Sequence, residues 1–161
     1  MWGIAGYLLK EKTLTFESEK VLNLMAKSLH HRGPDAGAIW SSNEEGIGLD
    51  FRRLAIQDLS DNGMQPMHSS NDRFVIVFNG EIYNHLNLRN EIGKNHDWKS
   101  SSDTETLLEA FSLWGVEKTL TKADGMFSLC LYDRDKNFLY FAVDRFGEKP
   151  LYVTETKDAF F

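Results

Sequence analysis

The spacing of hydrophobic and polar positions changes several times along the chain, and each change marks an element. Residues 2–9, Trp2-Gly3-Ile4-Ala5-Gly6-Tyr7-Leu8-Leu9, are an apolar run that predicts a buried strand, with two glycines that admit close approach of another backbone or a ligand. From Glu17 to His30 the period becomes helical, with Val21, Leu22, Met25 and Leu29 on one stripe. The helix stops at His31-Arg32-Gly33-Pro34-Asp35, where glycine and proline break it. Strands are predicted at Ala36–Ser41 and Gly46–Ile56, joined by a polar turn at Asn43–Gly46. Asp58–Gly63 reads as a loop that Gln65-Pro66-Met67 continues. Arg73–Phe78 is almost wholly apolar, the pattern of a strand covered on both faces, and it ends in Asn79-Gly80.

A helix is predicted over Asn84–Lys94. Ser102-Asp103-Thr104-Glu105 has the form of a capping box. It opens a helix with Leu107, Leu108, Phe111 and Trp114 on one stripe, closed by Gly115. Strands at Met126–Tyr132 and Phe138–Val143 flank a turn at Asp133–Asn137, and Leu151–Val153 reads as a further strand. Strands dominate both ends and helices sit in blocks between them, with no internal repeat, low-complexity tract or linker. That arrangement predicts an antiparallel α+β fold with helices covering the sheets.

Composition narrows the function classes. A chain of 161 residues with 42% hydrophobic and 26% charged residues suits one soluble domain with its own core. The net charge is -6, and neither half is basic, so no nucleic-acid or membrane partner is expected. The single cysteine, Cys130, excludes an internal disulfide and fits a reducing, cytoplasmic setting. It alternates within a strand pattern and reads as a buried small hydrophobe. The start lacks the charge and length of a signal peptide, and no apolar run is long enough to span a bilayer.

Neither standard phosphate-binding glycine loop occurs, and no metal-ligand spacing of histidines or cysteines. No metal or cofactor is therefore expected in this chain. Three short polar clusters remain. Arg53 is a solvated strand-edge arginine or a bidentate clamp for a carboxylate. Asn79-Gly80-Glu81 is a tight turn or an oxyanion hole, built from a side-chain amide and a glycine N–H. Asp103 is favoured by the helix dipole or anchors a ligand ammonium. Together they are the parts needed to hold a free amino acid by its head while its side-chain carbonyl is attacked.

The motifs Met1–Gly6, Arg32–Asp35, Arg53–Ser60, Gln65–Met67, Phe78–Asn84, Ser102–Glu105, Asp124–Phe127 and Asp144–Tyr152 resemble, in order and over nearly the whole chain, the glutaminase domain of glutamine-hydrolysing asparagine synthetases. These are class II glutamine amidotransferases. The resemblance implies a four-layer αββα sandwich of two mainly antiparallel sheets, the N-terminal-nucleophile hydrolase fold, over residues 1–161. It implies that Arg53 meets the α-carboxylate of L-glutamine, and that Asp103 meets its α-amino group with help from Glu81. Asn79 and Gly80 correspond to the oxyanion hole, and the backbone at Leu54 and Ile56 lines the pocket. In the family a cysteine directly after the initiator methionine attacks the carboxamide, and the freed α-amine is the base. Ammonia then passes to a C-terminal synthetase domain that uses ATP and Mg to amidate aspartate; that domain is absent from these residues.

Two positions depart from the family pattern. Trp2 stands where the cysteine would be, and an indole cannot form a thioester. A bulky second residue also opposes removal of Met1, and the ring is expected to fill part of the glutamine pocket, leaving binding weak or blocked. Phe51 stands where the family often has histidine. The resemblance therefore implies a glutaminase domain disabled at its nucleophile. The alternatives are a non-catalytic scaffold or homodimerisation module of an ammonia-dependent enzyme, and an amidotransferase domain serving a sugar carboxylate in polysaccharide biosynthesis.

Overall fold

A computed structural model of the chain describes residues 2–12, 17–54, 63–93 and 95–161. Its strands are β1 (Gly3–Leu9), β2 (Ala36–Ser42), β3 (Ile47–Arg53), β4 (Met67–His68), β5 (Phe74–Ile82), β6 (Gly125–Asp133), β7 (Phe138–Val143) and β8 (Ala159–Phe160). Its helices are α1 (Ser18–Ser28), α2 (His85–Ile92), α3 (Asp103–Trp114) and α4 (Val116–Lys122). One sheet has the order β2-β3-β1-β8 and the other β4-β5-β6-β7, and every pairing between these strands is antiparallel.

Strand alternation sorts the core into layers. Tyr7 and Leu9 of β1 pack with Leu22 of α1 on the outer face of the first sheet. Ile47, Leu49 and Phe51 of β3 meet Val75, Val77 and Tyr132 of the second sheet between the two. Phe74, Ile76 and Phe78 of β5 turn the other way, onto Leu88, Leu107 and Phe111 of α2 and α3. The result is the four-layer αββα sandwich, an α+β fold.

Several boundaries differ from the sequence expectation. β5 does not end at Asn79-Gly80 but runs on to Ile82, so Asn-Gly here is strand and not a hairpin turn. A Cβ at Gly80 would fall on the Met126 carbonyl and the Phe127 Cα of β6, so close strand packing requires glycine there. Leu151–Val153 forms no strand. Pro150 offers no N–H, Tyr152 is 86% exposed, and the last strand instead pairs Leu8 and Leu9 with Phe160 and Ala159. Gly115, at φ 82, both ends α3 and starts α4, a helix the sequence pattern does not announce. The helix predicted over Glu17–His30 ends at Ser28 and is followed by a 3-10 turn at His30–Arg32. Met67–His68, read as loop, pairs with β5 as a two-residue strand.

Candidate active site

The alternation that builds the core also aims the site. Arg53 follows Phe51 on the inner face at the end of β3, and Asn79 follows Val77 on the inner face of β5. Both positions face Trp2, which enters β1 on the same interior side as Ile4 and Leu8. The Trp2 backbone N–H donates to Asn79 Oδ1 at 2.9 Å, and its indole Nε1–H donates to the Leu54 carbonyl at 3.2 Å. The ring meets Phe51 edge to face at 5.6 Å and Phe78 at 6.2 Å. It is thus packed toward the core. A cleft of about 410 Å³ stays open beside it, lined by Trp2, Arg53, Leu54, Asn79, Gly80, Glu81 and Asp103.

The edge of β5 explains the position of Gly80. β4 covers β5 only at Val75 and Ile76. Further along, the Phe78 N–H donates to Gln65 Oε1 and the Ile82 N–H donates to Asp103 Oδ2. By alternation the Gly80 N–H points from this same edge, between those two, into the cleft. A backbone donor and the Asn79 amide therefore flank one wall.

Asp103 opens α3 and is held to the end of β5 through Ile82. Burial raises its carboxyl pKa, opposed by the Ile82 N–H and by His85. Ser102 caps the helix by accepting from the Thr104 N–H, but Glu105 does not complete a capping box. Its carboxylate instead accepts from the N–H groups of Lys99 and Ser100. Arg53 is buried, and its Nη1 lies 3.7 Å from Met64 Sδ.

Asp144 holds the loop that carries Lys149. It is 4% exposed and accepts from the backbone N–H groups of Phe127, Phe146, Glu148 and Lys149. Burial pushes its pKa up, but those four donors win and hold it down at about 2. The loop they tie, with Gly147 at φ 68, brings Lys149 to the cleft.

Seven of the eight residues singled out from sequence thus share one cleft, and Ile56 lies outside the described residues. Sequence reasoning missed His85, Ser101, Ser102, Met126 and Lys149, which also line it. His85 Nδ1 is buried and has no hydrogen-bond partner among the described residues. A lone histidine at a helix start carries no sequence signal for such a place. Cys130 is not in the cleft lining; it packs against the inter-sheet core, and burial pushes its thiol up to about 12. It is half-buried rather than fully enclosed. Among the described residues no cluster of three or more His, Cys, Asp or Glu is placed to hold a metal, and no helix is long and apolar enough to cross a membrane.

The glutamine amidotransferase domain profile matches residues 1–161. The chain belongs to the glutamine amidotransferase domain family. It is 37% identical over 160 residues to asparagine synthetase [glutamine-hydrolyzing] 1 of Bacillus subtilis, covering 98% of this chain and 25% of that protein. It is 34% identical over 168 residues to a putative asparagine synthetase [glutamine-hydrolyzing] 2 of Methanocaldococcus jannaschii, covering 94% and 32%. A probable asparagine synthetase [glutamine-hydrolyzing] of Acanthamoeba polyphaga mimivirus is 40% identical over 133 residues, covering 81% and 24%. The chain therefore spans a quarter to a third of the length of these relatives. Glutamine phosphoribosylpyrophosphate amidotransferase from B. subtilis superposes with a TM-score of 0.74 at 18% identity, over 98% of this chain and 40% of that one. This amidotransferase domain has the N-terminal-nucleophile hydrolase fold, with the sequence resemblance pointing to the glutaminase domain of asparagine synthetases.

Proposed function

We propose that this domain holds L-glutamine in the manner of an asparagine synthetase glutaminase domain but does not hydrolyse it. The observation that carries this is the contrast between Trp2 and its surroundings. Arg53, Asn79, Gly80 and Asp103 converge on one cleft, while the position that should present a thiol presents an indole. Arg53 clamps the α-carboxylate and Asp103, with Glu81, takes the α-ammonium. The carboxamide then points to Asn79 and the Gly80 N–H, which would stabilise an oxyanion if one formed. None forms, because the indole nitrogen lone pair belongs to the ring and the N–H is given to Leu54. On this account the whole protein would amidate a carboxylate, aspartate first among them, through a synthetase domain that uses ATP and Mg and draws ammonia from a source other than this site.

A scaffold role is the second reading, and Trp2 packing on Phe51 favours it. Both departures from the family pattern then serve one interior contact. Calorimetry separates the two. L-glutamine is expected to bind the chain, and Arg53→Ala to weaken binding by roughly 10- to 100-fold, the worth of a charge-assisted bidentate contact. Equal affinity in both proteins, or no binding to either the chain or its Trp2→Ala variant, overturns the glutamine reading.

A further inference from the structure

The described residues 95–102, between α2 and α3, form no helix or strand, yet they supply Ser101 and Ser102 to the cleft and lead directly into Asp103. Their backbone is held by one cation and one anion. Arg89 of α2 donates from Nη1 to the Ser100 carbonyl at 2.9 Å and from Nη2 to the Ser102 carbonyl at 2.8 Å. Its Nε donates to Thr106 Oγ1 at 2.8 Å, and the guanidinium lies 4.0 Å over the Trp98 ring. Glu105 of α3 takes the complementary set, accepting from the N–H groups of Lys99 and Ser100, each at 2.8 Å, and from Ser100 Oγ at 2.7 Å. The two charges sit 3.5 Å apart, with side chains only 14% and 10% exposed.

Surface loops rarely recruit two buried charges, because desolvation offsets much of what the pair gains. Here the carbonyls go to the fork and the amides to the carboxylate, so the path from Lys99 to Ser102 has one arrangement. Asp103 is the next residue. Its own carboxylate is fixed at the other end by the Ile82 N–H. We infer that Arg89 and Glu105 are positioning residues that set the Ser101–Asp103 wall, and through it the recognition of a ligand α-ammonium. This rests on the glutamine reading of the cleft.

The test uses L-glutamine and glutaramate, the same molecule without its α-amino group, titrated into the chain and into its Trp2→Ala variant. The intact clamp is expected to favour glutamine by roughly tenfold or more, the scale of one charge-assisted hydrogen bond. Arg89→Lys keeps the charge but loses the planar fork, so it should lose most of that preference while glutaramate affinity changes less than about twofold. Glu105→Gln is the second variant, read the same way, should Arg89→Lys fail to fold. Equal weakening of both ligands, or an unchanged preference, overturns the positioning role. If neither background binds either compound, the glutamine reading fails and takes this inference with it.

Discussion

Trp2 and Phe51 stand edge to face, ring centres 5.6 Å apart at 71°. Trp2 stands where the resemblance to glutaminase domains implies a cysteine and Phe51 where it often implies a histidine, and the two rings touch. Phe51 is fully buried between the sheets, and Trp2 reaches from the start of β1 to pack on it and on Phe78. The Trp2 side chain, partly buried, is therefore packed against the core. A double-mutant cycle measures this. Trp2→Ala and Phe51→Ala should each destabilise by about 2–4 kcal/mol, with a coupling of about 0.5–1.5 kcal/mol between them in denaturant unfolding. Strict additivity would mean that the contact carries no energy.

Asn79 and Gly80 should fail in different ways. In a Trp2→Cys background, Asn79→Ala is expected to lower kcat for glutamine by about 10²–10³ with little change in KM, as loss of an oxyanion donor does. Gly80→Ala should act on the fold, because its Cβ would strike the β6 backbone. A loss of at least about 1–3 kcal/mol in unfolding free energy is expected.

Much of this site is legible in the chain because its residues lie on, or directly after, strands with clear alternation. Alternation along β3 and β5 places Arg53 and Asn79 on the interior face, so motif and geometry agree. Asn79-Gly80 is ambiguous by itself: the same dipeptide makes hairpin turns, and only the close approach of Met126 and Phe127 reveals why glycine is needed within a strand. Glu105 is legible as a capping residue by spacing alone, but its carboxylate serves the Lys99 and Ser100 amides. His85 and Lys149 reach the cleft through tertiary packing of α2 and of the Asp144 loop, which no local pattern encodes.

Asp144 gives the fold an acid limit. Its folded pKa, about 2, lies below the ordinary carboxyl value, 3.8. A depressed carboxyl pKa contributes stability that is present above about pH 4 and lost as pH falls toward 2. Asp144→Ala should flatten that acid arm and cost about 2–4 kcal/mol at pH 7, since four backbone N–H groups lose their acceptor. Urea unfolding across pH 2–7 would show it.

Asp50 has the opposite sign. It is fully buried in β3, and neither carboxylate oxygen accepts a hydrogen bond of good geometry among the described residues, the neighbouring Phe51 N–H giving only weak support. Burial raises its pKa from 3.8 to about 6, against the pull of the Arg52 charge. A raised carboxyl pKa means that folding favours the protonated form, so stability falls as pH rises from about 4 through 6. Asp50→Asn should stabilise the domain at pH 7–8 by up to about 3 kcal/mol and have little effect near pH 4. A pH-independent difference between the two proteins would contradict the assignment.

The central claim is that a glutaminase site stands here without its nucleophile. Glutamate release from L-glutamine, compared between the chain and a Trp2→Cys variant freed of Met1, tests it most directly. The account predicts no steady release from the chain and clear turnover from the variant, a difference of several powers of ten, on the order of 10⁶ where a covalent nucleophile has been removed elsewhere. Steady glutamate release by the protein that carries Trp2, or a Trp2→Cys variant that neither binds nor hydrolyses glutamine, would contradict it.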